Sequence, residues 1–281
     1  MIARDHDQPH AADALGPHPE VPGGLPAGSM VRRLTLTPGR PFDLLVIPTA
    51  DPTADPTADK AQPTNQAALA EQAQRWVRAA AESVAASSTG IAAAPVAIPL
   101  YGCYVIWAPS HGAVLGSPTR IEQLAGTLGE FAAREAELRD LEGRGDKLLA
   151  TVESDAPAAF EFDDRTQAIR SRLAARFLEA VAVRRGLASL GPAVHVPPIH
   201  PPTLASQLAE RLRDRTRLAE RHELASDRAD FSFQVYEACG QRAAEFGIAR
   251  RQLGLEWAIV VILVAQLTLM LVEMLRFGSS T

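Results

Sequence analysis

The stretch Leu255–Leu275, LEWAIVVILVAQLTLMLVEML, decides how this chain is read. From Leu253 to Leu275 there is no proline and one glycine, Gly254, and Trp257 to Val272 carries no charge. As a helix, residues 253–275 would span roughly 34 Å, enough to cross a hydrocarbon core of about 30 Å. Apolar residues fall on every face, which leaves no polar stripe for water. A core helix of a large soluble domain shows the same composition, so the flanks decide. Arg250 and Arg251 precede the run, Trp257 stands at its start beside Glu256, and Arg276 closes it. Basic anchor, interfacial aromatic and apolar span is the order of a transmembrane helix. Arg250, Arg251, Glu256, Trp257 and Arg276 are therefore the expected membrane-interface residues, with Glu256 paired to a nearby arginine.

Charge sets the expected orientation. Arg242, Arg250 and Arg251 lie before the run and only Arg276 after it, which by the positive-inside tendency keeps the amino-terminal part in the cytoplasm or the equivalent matrix compartment. The opening MIARDHDQPHAADALG has no apolar core of a signal peptide. The expectation is a single-pass, tail-anchored protein. Lysine occurs only at 60 and 147 among 28 basic residues, a bias of base composition that points to a bacterial inner membrane.

Within the span, Gln266 and Glu273 are seven residues apart and share a face. A polar side chain facing lipid is costly, so this face is expected to meet protein, and a helix–helix contact would make the chain a homo-oligomer. Two other readings stay open. Glu273 can reach the headgroups or pair with Arg276, or the shared face can line an oligomeric pore.

The net charge of −5 is mild, and neither half has the basic excess of a nucleic-acid-binding protein: residues 1–160 hold 12 cations and 19 acids, residues 161–281 hold 16 and 14. No direct nucleic-acid binding is expected. The two cysteines, Cys103 and Cys239, make no disulfide framework and fit a reducing compartment, with Cys239 read as a small buried apolar residue.

The patterning predicts an α+β protein: a small mixed sheet with helices, then a long helical stalk and one carboxy-terminal transmembrane helix. Residues 1–29, rich in Pro, Gly, His and Asp, read as a disordered tail, in which His6, His10 and His18 are solvated. A soluble α+β domain is expected over 30–200, a charged stalk over 201–252, the span over 253–276 and a short tail over 277–281. MVRRLTLT and FDLLVIPT read as strands around the turn PGRP, and ADPTADPTAD as a linker. A helix is predicted over 65–86. AAPVAIPLYGCYVIWAP reads as a strand. A second helix runs over 119–141, with Thr119 and Glu122 as a capping box and GRG as its stop. KLLATVES and AAFEFDD read as weaker strands. A third helix covers 165–190, with Asp164 as its cap.

Residues 203–252, with nine arginines against eight acids, read as one ion-pair-laced helix or a hairpin. Apolar residues from Leu204 through Leu224, Phe231, Cys239 and Phe246 to Leu253 form an interrupted seam. It can pack on a partner helix or on the chain's own helix 165–190.

Catalytic signatures are not found: GxxxxGK[ST], GxGxxG after a strand, HExxH, CxxC and GxSxG are all missing. His195 and His200 in HVPPIHPP lack a third ligand at a recognisable spacing. Glu161, Asp163 and Asp164 fit the start of a helix, where negative charge is favoured. GRGD at 143–146 reads as a turn. No catalytic residue, metal ligand or cofactor is assigned.

One resemblance adds to this. The segment LAERHELASDRADFSFQVYEACGQRAAEFGIARRQLGLEWAIVVILVAQLTLML is similar to the end of the required-for-meiotic-nuclear-division family, domain of unknown function 155. The matching residues are Arg251, Leu255, Glu256, Trp257, Ile259, Val260 and Val261, with Gln266 where many members carry an acid. IPLYGCYVIWAP resembles the family's internal strand, while the Ser-His element expected in helix 165–190 is not evident. The resemblance implies a membrane protein acting as an oligomeric scaffold, its partner unnamed, and transfers no catalytic residue. The leading expectation is thus a non-enzymatic scaffold bound to the bilayer. The alternatives are an oligomeric ion-conducting or transport protein, and a membrane-tethered nucleotide-binding regulator or enzyme.

Overall fold

A computed structural model describes residues 20–36, 40–49, 62–87, 94–161, 163–195 and 202–278. The tail histidines, the ADPTADPTAD tandem and His200 lie outside the described residues. The chain divides into two compact units, one of Met1–Glu142 with Leu187–Leu224 and the other of Gly143–Gly186 with Ala225–Thr281.

The first unit is built on a five-stranded mixed sheet. β1 (Met30–Leu36) and β2 (Arg40–Pro48) pair antiparallel, β2 pairs parallel with β5 (His111–Gly116), and β4 (Cys103–Trp107) joins β5 to β3 (Val96–Leu100), giving the order β1-β2-β5-β4-β3. Strand side chains alternate between faces, and both faces are covered. Leu45, Ile47, Ile106, Ala113 and Leu115 pack with Ala73, Val77 and Ala81 of α1 (Gln62–Ser87). On the other face Phe42 and Gly112 meet Leu128, and Trp107 stands edge-on to Phe131, both on α2 (Pro118–Asp155). Residues 20–29, read from sequence as part of a structureless tail, run against this core. Leu25 packs on it, and Gln72 donates to the Gly23 carbonyl at 2.8 Å.

The segment read as one strand is a hairpin, β3–β4. Tyr101 and Gly102 turn it with φ of 42° and 77°, the left-handed pair that a two-residue hairpin turn needs. β5 carries only a short apolar pattern between two glycines, yet all six of its residues are buried. A Cβ on Gly112 would lie 2.9 Å from Phe42 and 3.0 Å from Leu128, so a larger residue there would force these two core side chains to shift. α2 does not stop at GRG. It continues to Asp155, taking in KLLATVES, whose Leu148 and Val152 lie one turn apart in the core of the second unit. Its start differs too. The amides of Arg120 and Ile121 donate to the Ser117 carbonyl, while Glu122 pairs with Arg32 of β1 at 2.6 Å rather than closing a capping box.

AAFEFDD forms no strand: Ala156–Ala159 is a 3₁₀ turn, and Phe160 after it is 80% exposed. α3 (Asp164–Ala168) is capped by Asp163, one residue earlier than expected, which accepts from the Thr166 amide at 2.7 Å. α4 (Arg170–Val194) runs through Pro192. The predicted stalk is two helices, α5 (Leu204–Thr216) and α6 (Leu218–Gly278), separated by Arg217 in a left-handed conformation, φ 51°. α6 then has no break over its 61 residues.

Gly112→Ala is expected to cost about 1–3 kcal/mol, the range for overpacking a filled core. Chemical denaturation of the purified protein checks it, with Gly126→Ala, where an added Cβ meets nothing within 4 Å, as the control that should not destabilise.

Candidate functional site

The second unit carries the apolar run. Within it, the end of α2 and α6 lie parallel: Asp146 pairs with Arg228 at 2.8 Å, Thr151 hydrogen-bonds Tyr236 at 2.9 Å, and Arg242 donates to the Ala159 carbonyl at 3.4 Å. α4 runs antiparallel to both, with Arg184 on Asp230, Phe177 against Phe233, and Arg144 on Glu179. Leu148, Val152, Leu173, Ala180, Tyr236 and Cys239 form the shared core. The seam of α6 therefore rests here on the chain's own helices, α4 among them. Leu224 and Phe231, counted in that seam by spacing, lie outside its buried face and are about half exposed.

Beyond this bundle α6 continues unaccompanied. Every residue from 248 to 272 is exposed, and α6 is long and apolar enough to cross a membrane by length and composition. Arg250, Arg251, Glu256 and Trp257 stand at the start of the run, Trp257 being 64% exposed. Glu256 lies near Gln252, 3.5 Å away, and no ion pair of it with a described arginine is seen. Gln266 is exposed on the helix surface. The side chains of Glu273 and Arg276 lie outside the described residues.

Three buried carboxylates mark the remaining polar sites, and each is held by arginine. Asp155, with a side chain fully buried, accepts from Arg172, Arg176 and the Tyr236 hydroxyl. Glu135, also fully buried, accepts from Arg139 and from Arg221 at 3.0 Å, and Arg221 forks onto Glu142 at 2.6 and 2.9 Å. Burial works against the Arg221 charge, but Glu142 and Glu135 outweigh it and raise its pKa above the ordinary value. Asp43 takes a two-point pair from Arg33, at 2.8 and 3.1 Å.

Beside Asp43, the two-residue turn between β4 and β5 brings Ser110 and His111 together, Oγ to Nδ1 at 2.8 Å. His111 Nε2 lies 3.7 Å from the Asp43 carboxylate, beyond hydrogen-bond range, and Trp76 stands edge-on to its ring at 5.5 Å. Burial lowers the His111 pKa; Asp43 opposes this and Arg33 adds to it. The ring is thus mostly neutral at pH 7 and stands at the start of the central strand β5 rather than as a relay between a carboxylate and a hydroxyl.

His195, paired in the sequence reading with His200, instead stands edge-on to His222 at 5.3 Å. Among the described residues no three His, Cys, Asp or Glu side chains gather as a metal site. The sequence reading missed Asp155, Arg172, Arg176 and Tyr236 as a cluster. They lie far apart along the chain, and Asp155 fell between two segments read as strands, KLLATVES and AAFEFDD. An apolar groove of about 450 Å³ also lies between α4 and α6, with Tyr236 and Cys239 among its lining residues. No family model, curated protein or solved structure matches this chain.

Arg221→Leu leaves Glu135 buried with only the half-exposed Arg139, and is expected to destabilise by about 3 kcal/mol or more; Arg139→Leu should cost less, and melting curves of the two variants rank them. His111 gives a pH dependence. Its folded pKa lies below the unfolded value of about 6.5, so its contribution is fully present above pH 6.5 and falls as the pH drops through the folded value. Unfolding at pH 7.5 and 5.5 should show a smaller acid loss in His111→Gln than in the parent.

Proposed function

We propose that this protein is a non-enzymatic scaffold anchored in a membrane by the apolar part of α6, with its copies associating through that helix. The observation that carries the reading is the exposure of the run. Fourteen large apolar side chains between Leu253 and Val272 are in the open. At roughly 1.5 kcal/mol for each one moved from water to an apolar medium, transfer of the run into lipid is worth about 20 kcal/mol. The Arg250–Arg251 pair and Trp257 then lie where headgroups meet the chain, with the residues before Arg250 on the cytoplasmic side.

Self-association is drawn from Gln266, a polar residue in the middle of an otherwise apolar surface, which a second helix can satisfy by a hydrogen bond. The resemblance of residues 215–275 to the meiotic-nuclear-division family agrees with an oligomeric scaffold.

Two measurements test this. The full chain should float with liposomes in a density gradient, resist carbonate extraction, and lose both properties when residues 253–281 are removed. Recovery of the intact chain in the soluble fraction would end the anchoring reading. In lipid nanodiscs or mild detergent the chain should form a defined oligomer, and Gln266→Leu should shift it towards monomer. A monomeric parent would end the self-association reading alone.

A further inference from the structure

The groove between α4 and α6 has the size of a small-molecule site. Leu173, Ala174 and Phe177 form one wall, Ala243 and Ala244 the other. Its floor is closed by Tyr236 and Cys239, both buried, and burial raises the Cys239 pKa so that the thiol adds no charge. Gly240 keeps it open. A Cβ there meets nothing within 4 Å, and glycine is a poor helix former, so a residue unfavourable to the helix stands where any side chain would enter the space.

The polar lining is sparse, with Arg170, Glu237 and Gln241 at its rim. The antiparallel run of α4 against α6 sets Arg170 level with residues 240–244, while Glu237 lies roughly 5–10 Å further from the apolar run. Arg170 is exposed and has no hydrogen bond or ion pair among the described residues. Among the described residues the space is thus an apolar trough with one cation in its lining, Arg170, and an acid, Glu237, further from the apolar run. Arg170 is the nearer of the two to Leu253, nine residues or roughly 14 Å beyond Ala244 along the same helix.

We propose that this groove binds a long-chain carboxylate, a fatty acid, with its chain against Leu173 and Phe177 and its carboxylate on Arg170. One cation matches one monoanionic head, and guanidinium forks onto carboxylate with two hydrogen bonds. Glu237 repels a second negative group. A single trough offers a place for one chain, not for the pair of chains of a bilayer phospholipid. Only the supply of the ligand from a bilayer rests on the anchoring reading; the groove does not.

The test is photocrosslinking of the full chain in phosphatidylcholine nanodiscs with a diazirine-bearing fatty acid, followed by peptide mapping. Labelling is expected in 170–177 and 236–244 and should be displaced by oleate. Arg170→Gln should weaken capture of the acid about tenfold and leave capture of the matching fatty alcohol unchanged. Gly240→Phe, which fills the trough, should abolish both with its melting temperature retained; Ala174→Leu serves the same purpose should the first variant fail to fold. Labelling confined to 253–272, capture indifferent to Arg170→Gln or to the filled groove, or stronger capture of a diazirine phospholipid would overturn the proposal. Groove labelling of a chain that stays in solution and does not float would keep this site and remove the anchor.

Discussion

A carboxylate taken out of water must meet cations, and α2 carries two such groups. Glu135 and Asp155 are both fully buried. Each determines what can pack beside it. In the first unit Glu135 fixes Arg221 of α6, which is held in turn by Glu142. In the second, Asp155 gathers Arg172 and Arg176 of α4 and the hydroxyl of Tyr236. Apolar contacts are forgiving about which turn of one helix meets which turn of another. A buried charge with named partners is not, because a slip of one turn strands it. The registers of α4 and α6 against α2 therefore follow from these two acids, and the groove between α4 and α6 follows from the registers.

Much of the architecture was legible from the residues. The turn PGRP between two apolar stretches located β1 and β2, and the 3/4 spacing of Ala73, Val77 and Ala80 marked α1. The apolar run from Leu253 announced itself by length alone. What escaped was the part decided by packing. GRG carries two glycines, a local stop signal, yet α2 passes through it because Arg144 and Glu142 find partners at Glu179 and Arg221. β5 was missed because its glycines look like loop, whereas they are the places where Phe42 and Cys103 come closest to the backbone. Arg217 ended a helix in a left-handed turn that ordinarily calls for glycine, a break with no mark in composition.

The candidate sites divide the same way. The residues expected at a membrane interface, Arg250, Arg251, Glu256 and Trp257, could be named from order along the chain, since the expectation of a span rests on a one-dimensional pattern. The groove could not. Arg170, Phe177 and Gly240 come from segments more than sixty residues apart, and their joint chemistry exists only after α4 has turned back along α6. The seam on α6 was real but its partner was ambiguous. Spacing shows that a face is apolar, not what covers it. Tyr236 and Cys239 settled on α2 and α4.

The unbroken course of α6 has a mechanical consequence. Each residue of a helix turns the next by about 100°, and no proline interrupts the passage from Tyr236 to Gln266. The azimuth of Gln266 is thereby locked to that of the bundle like the far end of a driveshaft. One residue added or removed near Gly247 would swing the lower segment through more than a quarter revolution, leaving composition almost untouched while pointing its polar group elsewhere.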